Sequence, residues 1–183
     1  SVLWFKGYGA LILGMNWDGN SGQFLRGDLP DGKIAFPDYW DFSAGFQENI
    51  LSAKVTLFQS EKVKWERITE FLDSGIQQKI TVDIPSGVSL SDLYEQIPLL
   101  KNKPSFQMEF LVDGKYTSTP GVASAVRFGK HVVLKLDSPR LCSLGPSRNL
   151  YGQEIASLRI HFGKPFKPNT KLHMEYTITG DAE

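Results

Sequence analysis

Short apolar runs of strand length follow one another along this chain, separated by Gly, Pro, Asn and Asp. The clearest cover residues 10–15, 50–58, 79–84, 106–112, 131–136, 155–162 and 172–179. In the last of these, Leu172, Met174, Tyr176 and Ile178 share one face, and His173, Glu175, Thr177 and Thr179 share the other. In 155–162, Leu158, Ile160 and Phe162 oppose Ser157, Arg159 and His161. Successive side chains of a strand point to opposite sides, so a period of two marks a strand with one buried and one wet face. Such strands pair antiparallel in sandwiches and barrels. The dipeptides Asp18-Gly19, Asp31-Gly32, Ser74-Gly75 and Asp113-Gly114 supply turns. Residues 164–169, Lys-Pro-Phe-Lys-Pro-Asn, read as a surface loop or rim, because their prolines cannot donate ladder hydrogen bonds.

Two segments carry a helical period instead. Ser89-x-x-Asp92 resembles a capping box with Asp in place of Glu or Gln; Leu90, Leu93, Tyr94 and Ile97 follow at helical spacing, and Pro98 ends the run. Trp65, Ile68, Phe71 and Leu72 form a second stripe between Ser60 and Gly75, where a strand is the alternative. The pattern predicts an all-β, antiparallel β-sandwich of about eight strands with one or two short helices. With no repeat, low-complexity tract or linker, it is expected to be a single domain over residues 1–183.

Composition narrows the class. Hydrophobic residues make up 41% of the chain and the formal net charge is zero, which excludes a disordered chain. The longest apolar region is broken by Lys6, Gly7, Gly9 and Gly14, so no membrane span is expected. Residues 2–5 are too short an apolar run for a signal peptide. The single Cys142 excludes a disulfide scaffold, and no Asn-x-Ser/Thr sequon occurs; both favour an intracellular or virion setting. A start at Ser1 fits polyprotein cleavage, loss of an initiator Met, or trimming.

Charge is uneven. Residues 1–120 carry eleven Lys/Arg against fifteen Asp/Glu, and residues 121–183 carry nine against five. Arg140, Arg148, Arg159, Lys164, Lys167 and Lys171 form a basic stretch, read either as a solvated face or as a patch facing RNA or a neighbouring subunit.

Candidate chemistry is sparse. Gly7-Tyr8-Gly9 with Gly14 lacks the third glycine of a dinucleotide fingerprint and fits a bulged strand better. Asp18-Gly19-Asn20-Ser21-Gly22 begins like a calcium loop, but Leu29 stands where the bidentate Glu belongs. His131, His161 and His173 fall in expected strands with no zinc-site spacing, and read as surface or rim residues. Cys142 reads as a small buried hydrophobe. No Gly-x-Ser-x-Gly elbow is present, and Asp38 and Asp41 are a carboxylate pair of the kind that glycoside hydrolysis needs. The densest feature is 36–42, where Tyr39, Trp40 and Phe42 join Phe36 as four aromatics in seven residues. They suit either a plug at one end of a sandwich or an exposed platform for a sugar or a partner protein.

The order of these elements resembles that of jelly-roll capsid proteins of picornavirus-like viruses. Tyr39-Trp40 precedes the strand at 50–58 much as an aromatic segment precedes an early strand in those subunits. The pair 155–162 and 172–179, joined by a Pro-rich loop, resembles their closing strands. In size the chain is similar to a small coat protein of plant secoviruses whose shell uses three coat proteins. The resemblance implies a structural coat subunit of a small icosahedral RNA virus. It would be located in the virion, after assembly in the host cytoplasm, with other capsid subunits as partners, weak contact with genomic RNA, and no catalytic residue, metal or cofactor. Two rivals come from the residues. One is a carbohydrate-binding β-sandwich stacking glycan on Tyr39, Trp40 and Trp17 or Trp65; the other is a hydrolase using Asp38 or Asp41.

Overall fold

A computed structural model of the chain describes residues 3–5, 9–12, 24–28, 34–35, 37–57, 63–88, 90–100, 107–146, 148–150, 153–163 and 169–180. Within them the chain is all-β. The strands are β1 (Leu3–Phe5), β2 (Gly9–Ile12), β3 (Phe24–Asp28), β4 (Ile34–Ala35), β5 (Pro37–Gln47), β6 (Ile50–Leu57), β7 (Val63–Leu72) and β8 (Gly75–Ile84). They continue with β9 (Asp92–Leu100), β10 (Met108–Val112), β11 (Lys115–Thr117), β12 (Val122–Phe128), β13 (Val132–Leu144), β14 (Arg148–Leu150), β15 (Gln153–His161) and β16 (Thr170–Gly180).

Every pairing is antiparallel. One sheet runs β5-β6-β7-β8-β16-β13-β12-β10-β11. The other runs β1-β2-β9-β15-β13, with β3 and β4 beside β9 and β14 beside β15. The long β13 belongs to both. Residues 132–136 pair with β16 and residues 142–144 pair with β15. Between them lies Asp137-Ser138-Pro139, where proline removes a ladder donor.

The two sheets enclose one core. Ile80, Val82, Val132, Leu134, Met174 and Ile178 come from the first sheet; Leu93, Ile97, Leu99, Leu158 and Ile160 come from the second. The alternation expected for 172–179 holds, with Met174, Tyr176 and Ile178 buried and His173 exposed. Asp113-Gly114 makes the predicted tight turn between β10 and β11, both residues having positive φ (48° and 77°), the geometry of a two-residue hairpin loop. The turn expected at Ser74-Gly75 lies one residue earlier, at Asp73-Ser74, and Gly75 opens β8, packed so closely that a Cβ there would lie 1.8 Å from the Ile178 carbonyl oxygen.

Neither expected helix forms; both segments are strands. Ser89 lies outside the described residues, and the run it was to cap is β9. The inward face of β9 is Leu93, Glu95, Ile97 and Leu99, and a charged residue in that row hides its period of two. Pro98 does not stop the strand. It falls between the stretch paired with β3, which reaches Gln96, and the single β2 pair at Leu99. The stripe in 60–75 is β7, the strand alternative, whose inward row is Val63, Trp65, Arg67 and Thr69. The strand expected at 79–84 begins earlier, at Gly75, because the inward Gln78 breaks its apolar pattern in the sequence.

These exceptions meet in space. Arg67 and Glu95 form a buried ion pair that bridges the two sheets, and the Tyr176 hydroxyl donates to Glu95 Oε1 at 3.1 Å. Beside them, Thr69 Oγ1 donates to Gln78 Oε1 at 2.8 Å. A polar layer therefore crosses an otherwise apolar core, its members bonded to one another.

Candidate functional site

Strands β9, β15 and β13 lie side by side, and the pleat sends Ser143, Arg159 and His161 to the side of the sheet away from the core. Cys142, Leu158 and Ile160 point the other way and are buried. The first residue of β9, Asp92, the last of β15, His161, and Ser143 near the end of β13 form a chain of contacts. His161 Nδ1 lies 3.0 Å from Asp92 Oδ2, and its Nε2 lies 2.8 Å from Ser143 Oγ. The other carboxylate oxygen of Asp92 accepts the Leu93 backbone N–H at 2.8 Å, which fixes the carboxylate. With Nδ1–H donating to Asp92, Nε2 is left as the acceptor for the Ser143 hydroxyl.

Neighbouring side chains frame this relay. The Tyr94 ring lies 5.4 Å from the His161 ring, tilted by 46°, and the Arg159 guanidinium lies 4.8 Å from the Tyr94 centroid. Arg159 stands directly opposite Ser143 in the ladder, and its Nε is buried without a hydrogen-bond partner. It crosses the backbone at Gly145, where a Cβ would come within 3.1 Å of that nitrogen. The relay's residues come from three distant stretches of sequence, so no local motif announces them. Sequence reasoning read His161 as a surface or rim residue, but its side chain is only 10% exposed, and Tyr94, Gln96 and Ser157 on the same face are buried. Ser143 could not be placed, because Pro139 reads as the end of a strand that in fact continues.

The other residues singled out from the sequence are dispersed. Tyr39, Trp40 and Phe42, with Asp38 and Asp41, fall on β5, and their side chains lie outside the described residues, as do Trp17, Lys164, Lys167 and the side chain of Arg148. Arg140 bonds Asp137 at 3.2 Å and donates to the His173 carbonyl at 2.8 Å. Lys171, two residues from His173, lies 3.9 Å from Asp83. Arg140 and Lys171 thus share one neighbourhood, each beside a carboxylate, whereas Arg159 belongs to the relay on the other sheet. His131 is exposed, and His173 Nδ1 meets Thr81 Oγ1 at 3.2 Å. Trp65 is buried beneath the Arg67 guanidinium. Cys142 is buried, and burial pushes its thiol pKa from 9.0 up to about 12, so it is a neutral packing residue.

Large apolar side chains also stand exposed at two places. Val122 (55%) and Leu141 (49%) are directly paired across β12 and β13, with Leu144 exposed three residues on. Ile50, Phe71 and Leu72 are exposed near the β5–β6 and β7–β8 turns, at one end of the first sheet, where the Phe71 N–H donates to the Asn49 carbonyl. Among the described residues, no three His, Cys, Asp or Glu side chains converge as a metal ion would need, and no helix is long and apolar enough to cross a membrane. No protein-family pattern and no curated protein matches the chain.

Proposed function

We propose that this chain is a structural subunit of a shell, a coat protein of a small icosahedral RNA virus that acts by assembling with other capsid subunits in the virion. The observation that carries this is the exposed apolar surface. The core between the sheets already buries its aliphatic rows, yet Val122 and Leu141 stand side by side in water, and Ile50, Phe71 and Leu72 are exposed near the β5–β6 and β7–β8 turns. Contiguous exposed apolar groups on a chain with a filled core suit burial against a partner. Two separate places suit a subunit with more than one neighbour, as closed symmetric assemblies require.

A jelly-roll order belongs to the same proposal. The long-range pairings β8–β16, β13–β16 and β9–β15 are crossings of the kind such a fold uses, while β5 to β8 form a plain meander. Arg140 and Lys171 are the residues of the basic stretch closest to a shared face that RNA or a neighbouring subunit could contact.

The test is the native mass, by light scattering, of the protein purified from its natural source. A megadalton particle containing RNA and companion coat proteins supports the proposal. A monomer or dimer overturns it and favours the glycan-binding alternative, which an array screen then checks. Within a particle, Val122→Asp with Leu141→Asp is expected to abolish assembly while leaving the subunit folded.

A further inference from the structure

The geometry points to Ser143 as a nucleophile activated by His161, with Asp92 as the positioning residue, able to accept an acyl group from a small ester. The three groups stand in the order that such chemistry needs: carboxylate, imidazole, hydroxyl, joined at 3.0 Å and 2.8 Å through opposite ring nitrogens. Two features set them apart from an ordinary surface hydrogen-bond chain. Asp92 is itself held by the Leu93 N–H, so its other oxygen is fixed facing Nδ1 and favours the tautomer that leaves Nε2 free to accept a proton. In addition, Arg159 Nε is a buried N–H with no partner, on the residue directly opposite Ser143, where the Cβ atoms of a cross-strand pair lie about 5 Å apart. An unpartnered buried donor carries a free-energy cost, and an anionic oxygen forming at the carbonyl bound to Ser143 would meet that need. Gly145 leaves the space that Arg159 occupies.

The step balances within these groups and water. Ser143 Oγ bonds to the ester carbonyl carbon as its proton passes to His161 Nε2, and the carbonyl π pair moves onto oxygen beside Arg159. Collapse of that oxyanion expels the alkoxide, which takes the proton from Nε2 and leaves as an alcohol. Water then attacks the acyl-serine, again giving its proton to Nε2, and the serine oxygen recovers that proton as the acid departs. The net reaction is ester plus water to acid plus alcohol. It is independent of assembly, because it uses one chain only.

The experiment treats the folded protein with a fluorophosphonate probe, in which the serine oxygen displaces fluoride, and maps the adduct by peptide mass. The expected result is one adduct, on Ser143, absent in Ser143→Ala. The labelling rate is expected to fall about a hundredfold or more in His161→Gln, the usual range for loss of a general base. Asp92→Asn is expected to slow labelling at neutral pH and to steepen its rise with pH, a change in profile that a purely structural role would not give. Mapping on the wild-type chain decides the matter even if a variant fails to fold. No adduct on the folded wild-type protein, an adduct elsewhere than Ser143, or a rate unchanged in folded His161→Gln overturns the proposal.

Discussion

The β16 and β7–β9 regions of the core obey the same pleat but differ in what they bury. On β16 the inward row is aliphatic and aromatic, and its period of two is plain in the sequence. On β7 and β9 the inward rows contain Arg67, Thr69 and Glu95, and the same period is disguised as a helical stripe. Hydrophobic periodicity reports burial only where burial is apolar. Where a core buries charge in compensating pairs, the pattern of each strand alone misleads, because its partner lies far along the chain.

That contrast can be broken most directly at the ion pair. Arg67→Ala is expected to destabilise the fold by about 3–5 kcal/mol, since it strands Glu95 as an uncompensated buried charge. Arg67→Met combined with Glu95→Leu, which makes the layer resemble β16, is expected to recover stability to within about 1 kcal/mol of the parent or above it. Urea unfolding of the three proteins checks both outcomes. If the single and double variants are equally unstable, the pair is not what the layer depends on.

Cys142 shows the opposite solution for a buried titratable group, which is to stay neutral. With its thiol pushed up to about 12, alkylation by iodoacetamide at pH 8 is expected to be roughly a thousandfold slower than in the unfolded chain from ionisation alone. The linkage has a definite sign. Below pH 9 both states keep the proton. Above it the unfolded chain loses the proton while the folded chain holds it, so stability falls as pH rises from 9.0 towards about 12. Comparing urea midpoints of the parent and Cys142→Ala across that window isolates the effect.

Smaller changes sharpen the comparison. Ile80→Val, in the apolar part of β8, is expected to cost about 1 kcal/mol by removing one buried methyl, far less than stranding Glu95 by removing Arg67 from neighbouring β7. Glu109→Gln, on a surface ladder where Glu109 faces Arg127 at 2.6 Å, is expected to cost under about 1 kcal/mol, since the pair is partly solvated. Thermal melts resolve the order of the two.

How much was legible in the sequence follows from the same physics. The strand at 172–179 is readable because one face is wet and the other apolar, and those at 50–58, 106–112 and 155–162 because polar and apolar residues alternate in their sequence. The turn at Asp113-Gly114 was readable because few residues accept its backbone geometry. The two helices were misread for the reason above. The C-terminal part of β13 is not legible because Asp137-Ser138-Pro139 carries every local sign of a strand end, and a strand that changes sheets is dictated by partners on both sides. The contact of Ser143, His161 and Asp92 was beyond reach for a related reason. It depends on the register of β9, β15 and β13, and a slip of one residue would turn His161 to the other face.

The sharing of β13 also bears on how the molecule comes apart. Its early residues are bonded to β12 and β16 and its late residues to β15, so a rupture that frees either sheet must pull on a strand still anchored in the other. Independent opening of one layer is thereby suppressed. Amide exchange at residues 132–136 and 142–144 is expected to proceed with a common opening free energy, the mark of a single cooperative unfolding unit spanning both layers.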